Sequence, residues 1–284
     1  PISRGNRGDK TITVRRAMES RIGVEVRHVR GCAIKDPDRA EFETAVAAAR
    51  EADVVVAVMG GSSKREYGND FEDAGQAVIN EKTTLQDMEC GETVDRATLD
   101  LLGVQDELLS ALKETGTPLV TVLIHGRAMA VSHAAKVSGA LLTAFYPGEQ
   151  GGAGIVDVLF GDAEPQGRLP VALPRSVGQL PVHYSRNQGA VTDYVDQSSA
   201  PLFPFGWGLA YTSFEYESIR LDREEISIDE LRGGETVTAH VCLRNTGERA
   251  GTETVQCYMH DESASIARPY SSLTGFAKAH PAEG

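Results

Sequence analysis

The chain has 284 residues and a formal net charge of −13, with 41 acidic against 28 basic side chains. Its basic residues are scattered, so it lacks the positive face that a phosphate backbone requires, and nucleic acid is excluded as a partner. Hydrophobic residues make up 41% of the chain, enough for about two domains, but no run approaches the ~20 apolar residues that span a bilayer, so no membrane partner is expected.

Four cysteines, Cys32, Cys90, Cys242 and Cys257, stand at no metal-ligand spacing, and the chain has no Asn-x-Ser/Thr acceptor. They read as free thiols in a reducing compartment, which favours the cytoplasm, and neither a metal nor a cofactor is expected. The opening PISRGNRGDK has no apolar h-region and no initiating Met. The RGD within it is three common residues in a polar segment.

Along the chain, helical and extended patterns alternate. ITVRRAMESRI has helical spacing, VEVRHV alternates as a strand does, and RAEFETAVAAAREA over residues 39–52 is again helical. DVVVAVMGG is an unbroken β-branched run ending in paired glycines, as expected of a parallel strand buried on both faces. The helix LLGVQDELLSALKETG follows, stopped by Gly116, then the strand PLVTVLIHG, the strand VSGALLTAFYPG and the helix GGAGIVDVLFG. This βαβα rhythm predicts a mainly parallel α/β sandwich over residues 20–175 or so.

After Pro174 the texture changes. The segment PLFPFGWGLAYTSFEY reads as an ordered connector over about 176–213, and from Phe214 short alternating strands begin, with an Asn-Thr-Gly turn at 245–247. The expected division is 1–213 for the α/β sandwich with its connector and 214–284 for a β-sandwich. About 70 residues are too few for the ~7 strands of a whole sandwich, so the chain reads as a fragment.

Between the first strand and the following helix, about 36 residues from Gly60 to Asp95 have no clean period. Connections of ~2–6 residues are the rule at such a place, and a long loop leaving the carboxyl end of a strand sits where ligand crevices form. The loop ends in ECGETVDR, with three carboxylates and an arginine around one Gly-Glu step. A helix-cap account has Asp95 capping a helix that starts near Arg96, and it explains Asp95 well. It explains Gly91-Glu92 poorly, because an acid ahead of the cap projects away from the helix. On chemistry alone Glu89 rivals Glu92.

The ordered set GE-x-x-DRATLDLLGVQDELLSAL, TPLVTVLIHGRAMA, AFYPGEQGGAGIVDVLFGDAEPQGRLPVALPRSVGQLPVHY and PLFPFGWGLAYTSFEY resembles the C-terminal part of glycoside hydrolase family 3 enzymes. The resemblance implies a barrel domain, absent from this chain, that supplies an aspartate nucleophile. It also implies an α/β sandwich whose long loop supplies the acid/base glutamate, and a fibronectin type III-like domain. In many members that glutamate lies four residues before the arginine of a DR or SR pair, which here is Glu92 before Arg96.

The function so implied is the C-terminal portion of a retaining, exo-acting β-glucosidase or β-xylosidase, inactive without its barrel. Its substrate would be a β-linked oligosaccharide or aryl glycoside, and homodimerisation is left open. Asp95 and Arg96 are expected to support the loop. Ser62, Ser63 and Arg65, after the Gly-Gly strand end, are expected sugar contacts. Glu92, near an anionic nucleophile, should have a raised pKa.

The competing classes are a non-catalytic carbohydrate-binding or interdomain scaffold and a nucleotide-binding α/β protein. The latter is disfavoured because GEQGGAG lacks the dinucleotide glycine spacing. His125 reads as a structural histidine or a crevice contact at a strand end. Phe205 and Trp207 read as packing for the connector rather than a sugar platform.

Overall fold

The computed structural model describes residues 11–63, 89–91, 94–186 and 192–281. It divides into two compact units, one of residues 1–159, 171–184 and 190–204, the other of residues 160–170, 185–189 and 205–284.

In the first unit, α1 (Val14–Glu19) and α2 (Phe42–Arg50) precede β1 (Val55–Gly60). Then come α3 (Gln105–Lys113), β2 (Leu119–Ile124), α4 (Ser132–Val137), β3 (Ala140–Thr143) and α5 (Gly151–Phe160). The three strands form one parallel sheet in the order β1-β2-β3, with Val55 opposite Leu119 and Val120 opposite Ala140. The expected parallel α/β layer is therefore present.

Alternation along the strands gives the sheet two faces, each packed by helices, although Val58 of β1, expected to be buried, is 46% exposed. Val56, Val122, Ile124 and Leu142 pack with Val14 and Ala17 of α1 and Ile155 and Val156 of α5. On the other face, Thr121 bonds Ser138 just after α4 at 2.7 Å, and α3 packs between α2 and α4 and against β1. Leu108, Leu109 and Leu112 of α3 are buried, at the i, i+1, i+4 spacing of an inward helical stripe.

Two local expectations are overturned. VEVRHV forms no strand: Val24 and Val26 are half-buried and Glu25 and Arg27 exposed, so the alternation is real, but no described strand lies beside it to form a ladder. The helix expected to start near Arg96 starts at Gln105. The carbonyls of residues 98–100 have other partners: Arg96 takes those of Thr98 and Asp100, and the Ala130 amide donates to Leu99. Gln105 then fixes the helix start by bonding both backbone groups of Gly60 at 2.8 and 3.0 Å. Asp95 is thus not a cap of α3.

In the second unit, β4 (Phe214–Leu221) pairs antiparallel with β5 (Ala239–Asn245), a short capped helix α6 (Ile228–Arg232) lying between them in the chain, and β6 (Glu253–Met259) pairs antiparallel with β7 (Ser272–Ala279). The Asn-Thr-Gly turn is held by Asn245, whose Oδ1 accepts from Thr212 at 2.6 Å and from the Gly247 amide at 3.0 Å. Its Nδ2 donates to the Arg249 carbonyl at 2.7 Å. β5 and β6, either side of that turn, belong to different sheets, as strands of a β-sandwich do. Arg168 reaches Glu253 at 2.7 Å, and burial together with that carboxylate pushes the Tyr216 phenol up to about 12. No helix among the described residues is long and apolar enough to cross a membrane.

Candidate active site

Because β1, β2 and β3 are parallel, their carboxyl ends emerge along one edge, the usual place for a ligand crevice. That edge carries Gly61-Ser62-Ser63 after β1, His125-Gly126-Arg127 after β2, and Phe145-Tyr146 after β3. His125 is fully buried, with Nδ1 2.5 Å from the Arg127 carbonyl and Nε2 2.6 Å from Thr143 Oγ1. A carbonyl can only accept, so Nδ1 carries the proton and Nε2 accepts from the threonine. Burial lowers its pKa, and both nitrogens are occupied, so His125 is a strut between β2 and β3.

Glu89 returns the chain to this edge. Its amide donates to the Ser62 carbonyl at 2.9 Å, and its carboxylate lies directly against Gly61, where a Cβ would come within 2.2 Å of Oε1. Its Oε2 accepts from Arg96 Nη1 at 2.5 Å, with the Glu89 side chain 0% and the Arg96 side chain 5% exposed. Its Oε1 accepts from the Cys90 thiol at 3.2 Å. Arg96 places its remaining donors on the carbonyls of Thr98, at 2.8 Å, and Asp100. A charge pair this deep is tolerated because its other donors and acceptors are also satisfied.

Beyond this pair the side chains are more exposed, Asp95 at 74% and Arg127 at 30%. Asp95 Oδ1 accepts from its neighbour's amide, Arg96 N, at 2.8 Å, and lies 2.8 Å from Arg127 Nη1. Those two contacts, with the Arg96 amide first, hold its carboxyl below the usual range. Arg127 and Tyr146 lie near enough to Cys90 to influence its ionisation, and Ser63 near enough to Tyr146 to influence that of the phenol. Burial, then the adjoining Glu89, pushes the Cys90 thiol up, which keeps it an unreactive thiol. Gly91 and Val94 exchange backbone hydrogen bonds at 2.9 and 3.1 Å.

Of the residues singled out in the sequence, Ser62, Ser63, Asp95 and Arg96 come together at this edge. Glu92 and Arg65 lie outside the described residues. Glu89, the other carboxylate weighed as the acid, has no exposed side-chain surface and is engaged by Arg96. Cys90, Arg127 and Tyr146 were not anticipated, although IHGR and AFYPG immediately follow strands and the strand-end rule points to both. Phe205 and Trp207 belong to the second unit, where Leu169 bonds the Trp207 carbonyl at 2.8 Å. Among the described residues, no three His, Cys, Asp or Glu side chains converge as metal ligands.

Comparison with known proteins gives concordant matches. The model of the glycosyl hydrolase family 3 C-terminal domain matches residues 5–211. A β-xylosidase of Formosa agariphila is 34% identical over 273 residues, covering 94% of this chain and 34% of that protein. A periplasmic β-glucosidase of Salmonella typhimurium is 38% identical over 251 residues, covering 84% and 29%. Among solved structures, a β-glucosidase from Erythrobacter marinus superposes with a TM-score of 0.81 at 36% identity, covering 96% of this chain and 37% of that one. The Listeria innocua β-glucosidase in complex with isofagomine does so at 0.77 and 27%, covering 97% and 36%. The chain thus spans about a third of the length of the relatives it matches.

Proposed function

Because the chain belongs to glycosyl hydrolase family 3, matching its C-terminal domain, we propose that it is the acid/base-supplying portion of a retaining, exo-acting β-glycosidase of the β-glucosidase or β-xylosidase class. Glu92 is the acid/base residue, four positions before Arg96. The observation that carries this reading is the arrangement of Glu89 and Arg96. The competing carboxylate is buried and engaged, and the arginine from which Glu92 is counted is seated at the carboxyl edge of the sheet. Ser62 and Ser63, on the same edge, and Arg65, two residues further along the chain, are proposed as sugar contacts.

A retaining glycosidase uses two carboxyl groups ~5–5.5 Å apart: one attacks the anomeric carbon, the other protonates the leaving oxygen and then activates water. In this reading the nucleophile comes from a barrel domain of the same enzyme, and Glu92 donates the proton and later takes one from water. Residues 1–213 form the α/β sandwich with its connector. Residues 214–284 begin a fibronectin type III-like domain, a reading supported by the change to antiparallel pairs at β4.

The test is Glu92→Gln in the barrel-containing enzyme. Alkyl glycosides, whose alkoxide leaving groups need a proton, are expected to slow by ~10²–10⁴-fold. Activated aryl glycosides should lose much less in the glycosylation step and accumulate the covalent intermediate, with azide restoring turnover. Unchanged turnover of alkyl glycosides would leave the chain a non-catalytic scaffold.

A further inference from the structure

The buried Glu89–Arg96 pair joins two residues seven apart in the chain, and in sequence it brackets the proposed acid. Fold stability alone does not call for an ion pair here, since apolar residues of similar volume commonly serve a buried site as well or better. The surrounding contacts have a direction. On the outgoing leg, the Glu89 amide is tied to Ser62 and its carboxylate is seated on Gly61, both at the end of β1. On the return leg, Arg96 grips the carbonyls of Thr98 and Asp100, and Asp95 is joined to Arg127 at the end of β2. The Gly91–Val94 backbone bonds lie inside that bracket.

We propose that Glu89 and Arg96 are positioning residues for the general acid. Their pair ties residue 89 to residue 96 and so fixes both flanks of the proposed acid at the ends of two neighbouring strands. The inference rests on the assignment of Glu92 above. A proton donor on a long loop must be held in near-attack geometry, and a misplacement of about 1 Å can cost ~10²-fold in rate. A pair with no exposed carboxylate surface holds such a register without competing for substrate.

The experiment uses the barrel-containing enzyme with Glu89→Gln, Arg96→Lys and, alongside, Glu92→Gln. For each, kcat and KM are measured on an alkyl β-glycoside, and the pre-steady-state burst on a dinitrophenyl β-glycoside. Glu89→Gln and Arg96→Lys are expected to lower kcat on the alkyl glycoside by ~10–100-fold, with KM within about twofold and the aryl burst nearly unchanged. Equal slowing of both substrates, or a lowered Tm with kcat intact, overturns the positioning role. If Glu92→Gln itself shows no dependence on leaving group, the catalytic assignment fails instead, and the two failures are thereby distinguished. Should Arg96→Lys not fold, Asp95→Asn decides. It alters an exposed side chain on the return leg, is expected to show the same substrate split at smaller size, and overturns the proposal if it shows none.

Discussion

His125 and Cys90 show how burial sets the chemistry of single groups at this edge. His125 is held neutral by burial, so its folded pKa lies below the ordinary value near ~6.5. As pH falls through that value the unfolded chain takes up the proton first, so between the unfolded and folded values stability declines with falling pH. Urea midpoints of the chain should therefore drop as pH is lowered below about 6.5, and His125→Gln, though less stable throughout, should show a flatter dependence in that window. A parent and variant with identical slopes would place the proton elsewhere. Cys90 is 8% exposed and its thiol is pushed up, whereas Cys257 is exposed. A brief iodoacetamide pulse on the native chain, read by peptide mass spectrometry, should label Cys257 and spare Cys90 until denaturant is added.

Among the elements, the β1–β2 pairing depends on a close approach that only glycine allows. Gly60 has φ +137, and a Cβ there would stand 1.9 Å from the Ile124 carbonyl oxygen, a backbone atom that cannot move without breaking the register. Gly60→Ala should cost more than about 1 kcal/mol, beyond any propensity effect, seen as a lower denaturant midpoint. The same strand end is bonded by Gln105, so disturbance at Gly60 should also loosen the start of α3. In α3 itself, Leu109 has no exposed surface, and Leu109→Ala should destabilise the chain by about 2–5 kcal/mol through the cavity it leaves.

At the scale of the whole molecule, the acid/base reading makes this chain one contributor to an active site completed by a barrel domain. Assayed by itself against aryl β-glucosides and β-xylosides it should show no turnover above background, because proton donation without an attacking carboxylate does not break the bond. Robust hydrolysis by the pure chain would mean that the active site has been misassigned.

The sequence alone determined β1 and β2, because runs rich in β-branched residues have one comfortable fate in a parallel sheet, and it determined β3 as the short apolar run between Gly139 and Pro147. It determined α2, α5 and the Asn245 turn for equally local reasons, and it contained the ordered motifs that carry the family resemblance. Tertiary structure decided what local pattern could not. Val24 to Val29 carry a strand-like pattern, and no described strand pairs with them. The helix that could start near Arg96 does not, because the carbonyls of residues 98–100 are taken by Arg96 and Ala130, so α3 waits for Gln105 and its bonds to Gly60. Glu89 and Glu92 are equal as carboxylates in a string of letters. Only the fold buries Glu89 on Gly61 and sets Arg96 against it, because burial and pairing depend on residues brought together from distant parts of the chain.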